Sequence, residues 1–324
     1  MEISSSRYCD GRRIIIGHPD RQHSHHLASG LFKANLLYKY FCGQFNQHQV
    51  AAFPAWLIQL FPKAIIRNAV PFLGESIHKA LPFGAAINLI SRRSPLSLLK
   101  LWGEWAGFSI FDTQLASMIE LMSPDVVIAY EMSAFKTFKA AKKKNIVCIL
   151  DAAACHYRLQ DERLNITKSE ADSMPARLIR ARKDIEVSLA DKIICPSRLS
   201  ADSYLAAGVP ENKIVVNTLG VDSAVFEAAS RIFREGTPRF VFIANSAFVK
   251  GADFVSAAIA DLRKHNIPAI IDVVGAVRLD VVSSGSYPDS KSWVPSARSS
   301  GSGFEQGRLP FASITFRIFR HGGS

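Results

Sequence analysis

The sequence predicts an α/β protein made of doubly wound modules in series, a full first one and a short second one. Three observations predict this. Short apolar runs bounded by turn residues recur along the 324 residues. Segments with helical spacing separate these runs. The same alternation starts again after a linker-like stretch from Ser223 to Pro238. Such a chain has room for roughly two domains of about 150 residues. Its 48% hydrophobic and 21% charged residues suit a sizeable buried core.

Taken in order, Arg12 to His18 (RRIIIGH) reads as a short buried strand ending in a loop. A helix is expected from about Ser24, with Leu27, Leu31, Ala34 and Leu37 at helical spacing. The turn Ser123-Pro124-Asp125 introduces an apolar strand at 126–130, then a helix over about 134–144 and a strand over 146–150. A strand at 192–195 meets Pro196-Ser197, where the serine caps a helix that stops at Gly208. Ile214 to Val216 closes the first set. The second set is a strand at 239–244, a helix at about 252–265 and a strand at 269–274. Strands and helices in this rhythm argue for βαβ units and parallel sheets. The expected divisions are 1–224, 225–277 and an irregular tail at 278–324. Serines crowd Ser283 to Ser302, and a single amphiphilic strand within 311–319 has no evident partner. The tail reads as disordered or as the product of a truncated or out-of-frame gene.

The five cysteines are scattered and never spaced as CxxC, which argues against a disulfide scaffold or zinc cluster and for a reducing, cytoplasmic setting. No signal peptide is expected at the polar start. The most apolar region, Val50 to Leu73, is broken by prolines and by Lys63 and Arg67, so it reads as core or as a membrane-surface contact, not a span. A formal charge of +11 favours anionic partners: phosphate-bearing substrates, acidic lipid or nucleic acid. Nucleic acid is not expected, since no RRM, KH or zinc-knuckle pattern occurs. Neither GxGxxG nor GxxxxGK[ST] is present, which speaks against nicotinamide and P-loop chemistry.

Three segments carry a family resemblance. The stretch EVSLADKIICPSRLSADSYLAAGVPENKIVVNTLGVDSAVF (Glu186 to Phe226) resembles a signature of glycosyltransferase family 4. FVFIANSAFVKGADF (Phe240 to Phe254) resembles the start of that family's donor-binding domain, and HPDRQHSHHLASGL (His18 to Leu31) resembles the loop after its first strand. The resemblance implies a GT-B architecture of two Rossmann-like modules, here with the second cut short. It implies sugar transfer, with retention, from a nucleotide-sugar donor to a hydroxyl on a glycan or lipid-linked acceptor. The nucleotide sugar is a co-substrate; no resident cofactor and no metal is expected.

By the same resemblance Lys250 and Gly251, with Asn245, would hold the donor diphosphate. A lysine at a helix start also has a physical reason to do so, since helix amides and dipole favour the same anion. Gln22, His23 and Ser24 would line the cleft, with Gly220 and Asp222 shaping it. His23 and His156 are the candidate catalytic residues, although a satisfied or merely exposed imidazole is the plainer reading of His156. His23, His25 and His26 are expected to spread around a first helical turn and not to converge on a metal. Asn245 stands where the family often has arginine. Ala297 and Ser313 stand where a glutamate eight residues from Glu305 would complete the family's nucleotide-holding pair. Impaired transfer is therefore expected. The rival readings are an inactive family member, a nucleotide-sugar epimerase of similar fold, and a basic binding protein for RNA or acidic lipid.

Overall fold

The computed structural model describes residues 11–20, 23–54, 73–74, 76–164, 166–220, 237–243, 250–274, 296–297 and 313–318. The chain divides into two compact units, Met1–Asp222 and Ser223–Ser324.

The first unit is a parallel sheet of seven strands in the order β3-β2-β1-β4-β5-β6-β7. The strands are β1 (Ile14–His18), β2 (Leu37–Cys42), β3 (His78–Ala80), β4 (Val126–Tyr130), β5 (Val147–Asp151), β6 (Lys192–Cys195) and β7 (Ile214–Val216). Their helices are α1 (Ser24–Lys33), α2 (Gln47–Ala51), α3 (Pro82–Ser91), α4 (Ser97–Met122), α5 (Phe135–Lys142), α6 (Tyr157–Arg163), α7 (Lys168–Ala171), α8 (Met174–Leu189) and α9 (Arg198–Ala206). This is the Rossmann-like, doubly wound α/β arrangement predicted from the rhythm of the sequence. Because both faces are covered, the central strands are continuous apolar runs. On one face Ile15, Val127, Ala129, Cys148, Leu150 and Ile193 pack on Phe111 and Leu115 of α4 and Phe138 of α5. On the other, Ile16, Tyr40, Cys42 and Ile128 cover Ala28 of α1. Gly17 lies where α4 crosses β1, and a Cβ there would lie 2.1 Å from Leu115 Cδ2, so Leu115 would have to shift.

The segment with the most specific resemblance is largely structural. Glu186 is fully buried, and its carboxylate accepts from the amides of Met132 (2.6 Å), Ala134 (2.9 Å) and Phe135 (3.1 Å) at the start of α5. Asp112 of α4 accepts from the next two amides, Lys136 (2.8 Å) and Thr137 (2.9 Å), and Arg182 bridges both acids. Helix α5 has no capping side chain of its own, so remote carboxylates satisfy its orphan amides. Asp191 accepts from the Cys148 amide at 2.8 Å, and Ser197 caps α9 through the Ser200 amide. Gly208 (φ +92°) ends α9 in a Schellman motif, with the amides of Gly208 and Val209 returning to Leu205 and Tyr204.

Two expectations are corrected. Helix α1 stops at Lys33: Asn35 turns left-handed (φ 56°), the Leu36 amide closes onto Leu31, and Leu37 opens β2 instead of extending the helix. In the second unit, β8 (Arg239–Ile243) pairs in parallel with β9 (Ala269–Val274), and α10 (Ala252–Lys264) lies between them in sequence. The strand left without a partner in the sequence reading is β11 (Ser313–Ile318), which pairs antiparallel with β9 and also with β10 (Ser296–Ala297). Apart from β10, the serine-rich stretch falls outside the described residues, as does the apolar segment at 55–72.

Candidate functional site

The strand order places a topological switch point between β1 and β4. The chain winds outward from β1 through β2 to β3, and on the other side from β4 to β7. In open parallel sheets such a point opens a crevice at the carboxyl ends of the strands, where ligands bind. The last residues of three adjacent strands there are His18 (β1), Tyr130 (β4) and Asp151 (β5).

His23, immediately before α1, reaches across to Asp151. Its Nε2 lies 2.7 and 2.9 Å from the two carboxylate oxygens. Asp151 is buried and His23 partly exposed. The hydrogen bond to Asp151 raises the pKa of His23, against the opposing effect of burial. With Nε2–H given to Asp151, the neutral ring holds its lone pair on Nδ1.

His18 is the second imidazole of the cluster, 6.0 Å from His23 and edge-on to it, with its ring 4.1 Å from that of Tyr130. Its Nδ1 accepts from the Asp20 amide at 2.9 Å, so the proton of the neutral ring sits on Nε2, which is buried with no hydrogen-bond partner. Burial pushes its pKa down to about 3 despite the nearby Asp151 carboxylate. His18 therefore stays neutral at physiological pH, whereas His23 shares a proton with a carboxylate.

The remaining predicted residues fall elsewhere or have other work. Ser24 is fully buried and hydrogen-bonds Tyr40 at 2.9 Å, which makes it a core hydroxyl and not a cleft group. His25 is buried and His26 exposed, so the three neighbouring histidines face different ways. His156 takes the satisfied place that the sequence also allowed. It is buried at the N-cap of α6, accepting from the Arg158 amide at 3.4 Å, with its own amide on Ser203 Oγ at 2.8 Å. Its ring packs against Tyr157 and Tyr204, and burial lowers its pKa. Lys250 and Gly251 directly precede α10 in the second unit. Lys250 is exposed, and Gly251 takes a left-handed conformation (φ +77°) that favours glycine. Gly220 is exposed, with nothing within 4 Å of a notional side chain. Gln22, Asp222 and Asn245 lie outside the described residues. Asp151, His18 and Tyr130 went unselected in the sequence. Their signal was a polar residue closing each apolar strand, but only the strand order brings the three together.

No protein-family model and no curated protein sequence matches the chain. Among solved structures it is similar to UDP-GlcNAc 2-epimerase from Neisseria meningitidis bound to UDP-GlcNAc, with 14% identity, TM-score 0.40, and coverage of 78% of this chain and 63% of that one. It is also similar to Anabaena Alr3699/HepE in complex with UDP and glucose (10% identity, TM-score 0.44, 77% and 58% covered). A third similar structure is the apo form of the lipopolysaccharide outer core galactosyltransferase WaaB (13%, 0.37, 73% and 53%). The chain thus spans about three-fifths of the length of these structures.

Proposed function

We propose that the protein transfers a sugar from a nucleotide-sugar donor to a hydroxyl acceptor, with His23 and Asp151 handling the acceptor's proton. The observation that carries this reading is the carboxylate-held imidazole at the switch point of the sheet. An attacking hydroxyl must lose its proton as the bond to the anomeric carbon forms. The Nδ1 lone pair of His23 can take that proton, and Asp151 fixes the tautomer and stabilises the resulting imidazolium. The family resemblance implies that Lys250, Gly251 and Asn245 hold the donor diphosphate, an anion that an exposed lysine before a helix start attracts.

The resemblance implies retention at the anomeric carbon. A second reading is inversion, favoured by the same His23–Asp151 pair, because single displacement needs a base dedicated to the incoming hydroxyl. Release of nucleoside diphosphate from a panel of nucleotide sugars, with sugar alcohols and water as acceptors, tests the reading. His23→Ala should lower the rate by about 10²–10⁴-fold with donor binding kept. An unchanged rate, or no release from any donor, would remove the proposal. The anomeric configuration of the first-formed product, read by NMR, decides between retention and inversion.

A further inference from the structure

We propose that the α3–α4 hairpin seats the protein on an anionic lipid surface. The hairpin is tightly built. A Cβ on Gly84 would lie 2.3 Å from the Gly107 carbonyl oxygen, and one on Gly103 would lie 2.0 Å from Ser91 Cβ. The two backbones therefore meet through glycine and serine, and several large apolar side chains of the hairpin face outward. On α3, Phe83 (66% exposed) and Ile90 (70%) share a face at i and i+7. Leu96 (59%), Leu98 and Leu99 extend the patch across the turn into α4. The half-buried Trp102 and Trp105 follow Leu98 at i+4 and i+7, their rings 5.8 Å apart and edge to face. Single exposed apolar residues are ordinary, but a contiguous group on one rigid hairpin marks an interaction surface.

Charge selects the occupant. Arg92, Arg93 and Lys100 are exposed around this apolar tip, and none has a carboxylate partner among the described residues. From Leu81 to Trp105 the three cations stand against one acid, Glu104. A second copy in a two-fold contact would bring like charges together, because each patch meets itself. An anionic bilayer supplies the missing charge at its headgroups, an apolar boundary for Phe83, Ile90 and the leucines, and an interfacial zone that suits tryptophan. Among the described residues no helix is long and apolar enough to cross a membrane, so the hairpin lies on the surface.

The test is flotation of the full chain with vesicles of phosphatidylcholine, with and without phosphatidylglycerol. Binding is expected only with the anionic lipid. Arg92→Glu/Arg93→Glu should weaken partition by roughly 30-fold or more. Phe83→Ser/Ile90→Ser, which leaves every charge in place, should weaken it as well. These side chains are exposed, so circular dichroism and the unfolding midpoint should not move. In a Trp56→Phe/Trp293→Phe background, the emission of Trp102 and Trp105 should shift to the blue on binding. Absence of flotation would overturn the proposal, as would flotation that Phe83→Ser/Ile90→Ser leaves unchanged, since general basicity would then be responsible. Vesicle-free self-association abolished by the same substitutions would assign the patch to a second copy instead.

Discussion

Because Asp151 engages Nε2 of His23, the basicity of that ring depends on a carboxylate 128 residues away in sequence. Asp151→Asn should return the His23 titration midpoint toward 6.5, read by NMR of the imidazole protons, because the hydrogen bond to Asp151 is the largest cause of the upward shift. A midpoint that stays put would break the pairing. Since the folded pKa is raised, the stability contributed by His23 is present below about 6.5 and lost as pH climbs through the raised value. His18 and His78 behave oppositely. Burial lowers them to about 3 and about 4, in His78 against the opposing effect of a hydrogen bond with the Gln44 backbone. Their stability is present above the unfolded value near 6.5 and fades as pH falls toward the folded values, by about 2 kcal/mol each between pH 7 and 5. Urea unfolding of His78→Met should therefore show a shallower acid loss than the native chain. An equal slope would mean that His78 is not held neutral. None of this was legible residue by residue. His23 was selectable from its loop, but Asp151 looked like a strand end and Ser24 like a loop hydroxyl, because partner and burial are set by strand order.

At the scale of single elements, the strands at 192–195, 214–216 and 269–274 match their predicted bounds, since β-branched runs between turn residues leave little choice. The helical hairpin was not legible. Helix α4 runs for 26 residues with apolar side chains spread around its girth, so no single stripe marks it. The remote cap of α5 was equally hidden, because Glu186 is ordinary in its own helix and acts on a different one. Glu186→Ala should cost about 3–5 kcal/mol, as it leaves three amide groups at the α5 start without their buried partner and Arg182 with Asp112 as its one buried acid. Glu186→Gln should cost less. It should also change the pH response. Burial raises the Glu186 carboxyl to about 7, so the folded state holds that proton more tightly and stability falls as pH rises from about 4.5 through 7. The glutamine variant should lose this alkaline-side decline and show a steeper net loss on acidification. If both variants behave alike in urea at pH 5 and pH 8, the clamp has been misassigned.

For the molecule as a whole, the question is how much of it the first unit needs. Every residue of its two core clusters lies between Ile14 and Ile214, on the two faces of one seven-stranded sheet. The His23–Asp151 pair, the buried His18 and the α5 clamp all fall within the same span. A core contained in this way has the apolar burial to fold independently, since a domain of about 200 residues buries roughly 70% of the surface its unfolded chain exposes. The fragment 11–222 should therefore be a cooperative unit on its own. Its urea transition should keep the acid sensitivity due to His18 and His78, and its His23 resonance should titrate at the midpoint seen in the full chain. Both measurements are needed, because a compact but loosely packed fragment could retain helix content while losing the tertiary pairing of His23 with Asp151. A fragment that unfolds without a transition, or whose His23 titrates near 6.5, would show that the candidate site depends on residues beyond Asp222. The resemblance then gains a physical reading. The described part of the Glu186–Phe226 motif, up to Gly220, closes this sheet through the α5 clamp, the Asp191 contact to β5 and the capped α9, while His23 and Asp151 lie outside it.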